Sequence, residues 1–175
     1  MKKNLLAVAI LTASAFTPSA SAADGALNIT GTITDQSCTV DADSKNKQVA
    51  LGKIAKEAFT LSKTAGAKAF NLVLQDCDLS LGKTVKVTFT GAESAALPGL
   101  LLPDGGSPLG IALGIETMAG SPVALNKPSQ GYALANGSNS LQLQVYIQGE
   151  PAAIAQKSIG LGVFSSVATF ALEYE

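Results

Sequence analysis

Apolar and polar residues alternate with a period of two along much of this chain, most cleanly at 141–148. There Leu141, Leu143, Val145 and Ile147 share one face, and Gln142, Gln144, Tyr146 and Gln148 share the other. That is the signature of a strand with one buried side. Phe70, Leu72 and Leu74 alternate in the same way before Cys77, and Val85, Val87 and Phe89 before Gly91. Shorter strand candidates lie at 48–51, 109–116 and 121–125. The residues between them are turn formers: Leu-Pro-Gly at 97–99, Pro-Asp-Gly-Gly at 103–106 and Ala-Asn-Gly-Ser at 135–138. One helical turn is expected within 53–64. Short strands divided by glycine, proline and asparagine predict a single all-β sandwich.

The two ends carry the same pattern. From Gly162 the chain reads Gly-Val-Phe-Ser-Ser-Val-Ala-Thr-Phe-Ala-Leu-Glu-Tyr, then Glu175. This predicts a strand with Phe164, Ala168, Phe170, Leu172 and Tyr174 on one face. Near the start, Leu27, Ile29, Gly31 and Ile33 alternate with Asn28, Thr30 and Thr32. A good strand at each end can complete a sheet within one molecule or within its neighbour.

Residues 1–22 are set apart from the fold. Lys2 and Lys3 precede a short apolar run from Leu5 to Leu11, and Ala20-Ser21-Ala22 has the small residues of a cleavage site. This predicts a secretory signal peptide and a mature chain from Ala23. No later segment approaches the roughly 20 apolar residues of a membrane-spanning helix. The 153 residues that remain suffice for one domain with a sizeable core.

Of the 12 basic residues, removing Lys2 and Lys3 leaves 10 against 13 acidic ones, a net charge of −3. The charges are scattered, so no patch argues for nucleic acid or an anionic membrane. Cys38 and Cys77 are the two cysteines. In an exported chain they are expected to form a disulfide. Closing that loop contributes roughly 4 kcal/mol in the chain-entropy account.

The chain has no histidine, which removes the commonest general base, histidine-based triads and most zinc sites. Asp76 and Asp78 flank Cys77, and Asp41 and Asp43 have the same spacing. A cation between either pair is conceivable, but solvated strand ends are the simpler reading. Lys45/Lys47 and Lys83/Lys86 read as solvated edges that discourage random strand pairing. Neither a phosphate-binding loop nor a nucleotide fingerprint is present. No catalytic residue, metal, cofactor or small-molecule substrate is expected, and the sequence argues against an enzyme.

Four features together resemble the pilin subunits of the chaperone–usher pathway, above all the type 1 fimbrial subunits. They are the alternating stretch 23–33 with Gly31 embedded in it, Cys38 followed by Thr39-Val40-Asp41, the run Phe-Asn-Leu-Val-Leu-Gln-Asp-Cys ending at Cys77, and the terminal pair Gly162 and Tyr174. The resemblance spans the whole mature chain. It implies an incomplete immunoglobulin-like β-sandwich that lacks its last strand and is completed by a donor strand from a neighbouring subunit. The implied divisions are a signal peptide at 1–22, a donor-strand extension at 23–35 and a pilin domain at 36–175. Leu27, Ile29, Gly31 and Ile33 would be donor residues. Gly162, Phe164, Phe170, Leu172, Tyr174 and Glu175 would form the acceptor strand and the chaperone contact, with the terminal carboxylate on Glu175 held by the chaperone.

The implied partners are a periplasmic chaperone, an outer-membrane usher and neighbouring pilin subunits, in a fimbrium on the cell surface that supports adhesion. Two alternatives stay open: a minor or adaptor subunit, and a self-contained carbohydrate-binding adhesin. The second is disfavoured, because tip adhesins of this pathway carry an extra receptor domain and have no use for a donor segment.

Overall fold

The computed structural model describes residues 37–104 and 109–175. Seven strands and three short helices follow one another: β1 (Thr39–Val40), α1 (Ala42–Lys45), α2 (Ala58–Leu61), β2 (Thr64–Cys77), β3 (Thr84–Gly91), β4 (Ile111–Thr117), β5 (Tyr132–Ala133), β6 (Gly137–Gly149), α3 (Pro151–Ala155) and β7 (Ala168–Tyr174). They form one sheet in the order β1-β2-β6-β4 and another in the order β5-β3-β7. Every pairing is antiparallel. This is the all-β sandwich anticipated from the alternation, in the immunoglobulin-like form that the resemblance implied.

The alternating residues become the core. Leu141, Leu143, Val145 and Ile147 of β6 are buried, with Leu72 and Leu74 of β2 on one side and Ile111, Leu113 and Ile115 of β4 on the other. Val85, Val87 and Phe89 of β3 belong to the facing sheet and are buried as well. A smaller cluster of Phe59, Ile111, Ile147, Ala153 and Ile159 lies under α2 and α3. On the outer face Gln144 Nε2 donates to Glu116 Oε1 at 2.6 Å. Tyr146 departs from its polar neighbours. It points outward, yet is only 8 % exposed, because it pairs across the strands with Gly114, and its ring fills the space a Cβ there would take.

Cys38 and Cys77 form the expected disulfide, with Cα atoms 4.1 Å apart. It fastens the chain entering β1 to the end of β2, within one sheet. The strand does not alternate simply through Cys77: the register slips between Leu74 and Cys77 and Asp76 has φ of 52°. Asp76 and Asp78 are therefore not a regular same-face pair. Asp78 Oδ1 instead accepts from the Ser80 N–H at 2.9 Å, which holds its carboxyl below the usual range.

Other expectations are refined. The helical turn within 53–64 is α2. The candidate at 109–116 is β4. Residues 48–51 and 121–125 are not regular strands; the latter run beside β4 through the Val123 N–H bond to Ile115 O (2.8 Å). Helix α1 was not foreseen. It begins where Asp41 Oδ2 accepts from the Asp43 N–H, and Asp41 Oδ1 accepts from Gln75 Nε2 at 2.7 Å. Asp41 thus serves as the helix cap, a role that suits its short hydrogen-bonding side chain.

Candidate functional site

The end of the chain and the segment after α1 face each other across an open apolar groove. Strand β7 is narrower than the C-terminal alternation predicts, starting at Ala168 and not at Gly162. Residues 162–167 have no ladder partner among the described residues, although their burial still alternates: Phe164 and Ser166 are half-buried, Val163, Ser165 and Val167 exposed. Asp104 N–H donates to Ser165 O (2.8 Å) and Ser166 Oγ to Leu102 O (2.9 Å). These bonds hold the segment in line with β7 without making it a strand.

The geometry of β7 follows from one pair. Thr84 and Glu175 exchange two main-chain bonds, Glu175 N–H to Thr84 O at 3.0 Å and Thr84 N–H to Glu175 O at 2.9 Å. In an antiparallel ladder such pairs alternate with pairs whose N–H and C=O groups point away. Counting back from Thr84–Glu175 along the register, Tyr174, Leu172, Phe170 and Ala168 turn their main-chain groups to the far edge. No strand pairs with that edge among the described residues. The same four side chains pack against the main core. The strand thus offers apolar contacts and unused main-chain bonds along one line.

The opposite wall is residues 46–54. Among the described residues, none of these makes a main-chain bond to another main-chain group. Val49 and Leu51 turn toward the core, and Gly52, at φ of 74°, takes a conformation that few other residues tolerate. Between the walls lie two adjoining spaces of about 760 and 710 Å³ that share Lys47, Gln48, Val49, Leu51 and Ser166–Ala168. The floor is aromatic and aliphatic: the Phe89 ring lies 6.5 Å from that of Phe70 and 6.3 Å from that of Phe170.

The predicted site residues fall into three groups. Gly162, Phe164 and Phe170 line the groove. Leu172 and Tyr174 pack farther along, and Tyr174 Oη donates to Cys38 O at 3.5 Å; burial raises the pKa of its phenol. Glu175 lies beyond the groove, where its main-chain oxygen also accepts from the Lys83 N–H at 2.7 Å and its carboxylate pairs with Lys86 Nζ at 2.5 Å. That bond raises the pKa of Lys86. Leu27, Ile29, Gly31 and Ile33 lie outside the described residues. The 46–54 wall was missed. Its signal was the Val49/Leu51 alternation, which shows a strand-like segment but not that it would stand unpaired.

The molecule is therefore an immunoglobulin-like sandwich with an open, apolar strand-sized groove beside its last strand. The sequence model described as "Fimbrial protein" matches residues 27–175, and the chain belongs to that family. It is 33% identical to Fimbria A protein of Serratia marcescens and 33% identical to Major MR/P fimbria protein of Proteus mirabilis (strain HI4320), covering 100% of each chain in both cases. Its fold is similar to the P pilus rod subunit PapA, with a TM-score of 0.68 at 23% identity over 80% of this chain and 100% of that one. It is a structural fimbrial subunit.

Proposed function

We propose that the subunit polymerises by strand donation, residues 23–35 of one copy filling the groove of the next. The open line along β7, with core-facing side chains and free main-chain groups on the same residues, carries this reading. A peptide strand laid there would add main-chain bonds and bury apolar residues, an established mode of β-strand addition. Each Leu or Ile buried contributes roughly 1.5–3 kcal/mol, so Leu27, Ile29 and Ile33 together with the ladder would make a long-lived joint. Gly31 would lie where the acceptor leaves no room for a side chain.

The proposed life of the chain follows from the same exposure. After removal of residues 1–22 and export to the periplasm, the domain from Gln36 would expose an apolar groove and an unpaired edge, both prone to aggregation. A periplasmic chaperone would cover them with a strand of its own and hold the carboxylate of Glu175. At an outer-membrane usher the next subunit's extension would replace that strand, and the fibre would reach the cell surface and support adhesion. The role is structural and not enzymatic.

The test is a chain beginning at Gln36, held soluble by the chaperone and mixed with a peptide of residues 23–35. Release of the chaperone and a large rise in Tm are expected, and Gly31→Asn in the peptide should abolish both. A truncated chain that is soluble alone and ignores the peptide would sink the proposal. One that needs the chaperone but ignores its own peptide would be an adaptor or minor subunit, built to accept another extension.

A further inference from the structure

The two adjoining spaces of the groove are lined by three charged residues, Lys45, Lys47 and Lys53, and by no acid. All three are exposed, and among the described residues none has an ion-pair partner. They stand on one wall only. The other, from Gly162 to Phe170, carries no charge. A row of lysines protects a free edge from random pairing, but it also leaves a positive rim waiting for a particular occupant.

The segment at 23–35 has the complementary charge. It contains Asp24 and Asp35, no basic residue, and places them outside the alternating run Leu27–Ile33. The direction of the walls gives the pairing. Lys45 and Lys47 share one space with Thr169 and Phe170, while Lys47 and Lys53 share the other with Gly162–Ser165. The line from Lys45, at the end of α1, through the 46–54 wall therefore runs opposite to the last strand. Every strand pair among the described residues is antiparallel, and antiparallel pairing is somewhat the more stable. A segment that continues this pattern on β7 runs alongside Lys45 and the 46–54 wall in the same direction. Its C-terminal acid, Asp35, then arrives at the Lys53 end and Asp24 at the Lys45 end.

We infer that Lys53, supported by Lys45 and Lys47, is a specificity-determining residue that selects an acidic-ended strand from a second copy of this chain through Asp35. The inference rests on the strand-donation reading above. Its physical content is modest in affinity and larger in rate. An exposed pair changes an equilibrium by about two- to fivefold, whereas a charged rim steers encounter and is sensitive to salt.

The test uses the full chain, exported, purified from the periplasm and allowed to assemble, with the formation of heat-labile, SDS-resistant polymer as the readout. Wild type is compared with Lys53→Glu, Asp35→Lys and the double reversal in about 20 mM and about 1 M salt. At low salt each single reversal should slow assembly by about threefold or more, and the double reversal should restore most of the rate. At about 1 M salt, where the screening length is about 3 Å, the differences should disappear. Single reversals without effect at low salt, a double reversal no faster than either single, or rescue of Lys53→Glu by Asp24→Lys in place of Asp35→Lys would overturn the inference. Gly31→Asn in the wild-type background separates the two levels. If that variant assembles as fast as wild type, strand donation itself fails. If it is blocked while charge reversals have no effect, only the role of Lys53 fails.

Discussion

Strands β6 and β7 carry the same two-residue alternation in opposite circumstances. β6 is bonded to β2 along one edge and to β4 along the other, and its Leu143 is fully buried. β7 is bonded to β3 alone among the described residues, and its inward residues Phe170 and Leu172 are only half-buried. The second sheet thus stops one strand short of the arrangement in the first. Side-chain periodicity reports which face of a strand is apolar, and nothing about how many neighbours its edges have. That distinction separates the sheet whose central strand is paired on both edges from the sheet whose last strand is paired on one.

The largest expected effect comes from cutting the tie between the closed sheet and the 46–54 wall of the groove. The disulfide anchors the chain just before β1, and β1 and α1 lead directly into the 46–54 wall. Replacing both Cys38 and Cys77 by serine should cost roughly 4 kcal/mol, read as a lower urea midpoint. It should also weaken capture of the 23–35 peptide, because a wall without main-chain bonds depends on its anchor. Unchanged peptide capture in the destabilised variant would show that the groove keeps its shape without the bridge.

A second comparison places the same substitution in both strands. Leu143→Ala should lose about 2–5 kcal/mol, the range for emptying a packed site. Leu172→Ala in the uncapped subunit should lose less, about 1–2 kcal/mol, since its side chain is only partly removed from water. Filling the groove with the 23–35 peptide should raise the Leu172 cost and leave the Leu143 cost unchanged. Equal costs before filling would mean that β7 is already as well packed as β6.

What was legible before the structure follows the same division. The strands, the sandwich and the inward face of the last strand were readable from alternation, because burial writes that signal, and the disulfide from two cysteines in a chain read as exported. The 46–54 wall was not, since Val49 and Leu51 look the same whether their strand is paired or open. Nor was the end of the ladder at Ala168, because Phe164 and Ser166 keep the alternation after the partner strand has run out. Tyr146 was read as one of four outward polar residues. Its burial depends on Gly114, a cross-strand neighbour more than thirty residues away in sequence, and no local pattern contains that contact.

The smallest effect sharpens the comparison through pH. Tyr146 lies in the closed sheet and Tyr174 in the open one, and burial raises the pKa of both phenols; Glu116 adds to the effect at Tyr146. In the unfolded chain a tyrosine ionises near pH 10. The fold holds the neutral forms, so their contribution is complete below about pH 10 and is lost as pH rises through the raised folded values. Lys86, raised by its bond to Glu175, has the same sign, so wild-type Tm should fall on the alkaline side. Tyr146→Phe and Tyr174→Phe should each flatten that fall by removing one ionisation. Covering the groove should steepen the Tyr174 component alone, because an added strand takes more solvent from the β7 end and none from Tyr146. A scan of Tm between about pH 8 and pH 11, with and without the 23–35 peptide, reads the difference directly. If the peptide alters the Tyr146→Phe and Tyr174→Phe differences equally, the occupied region is not confined to the open sheet.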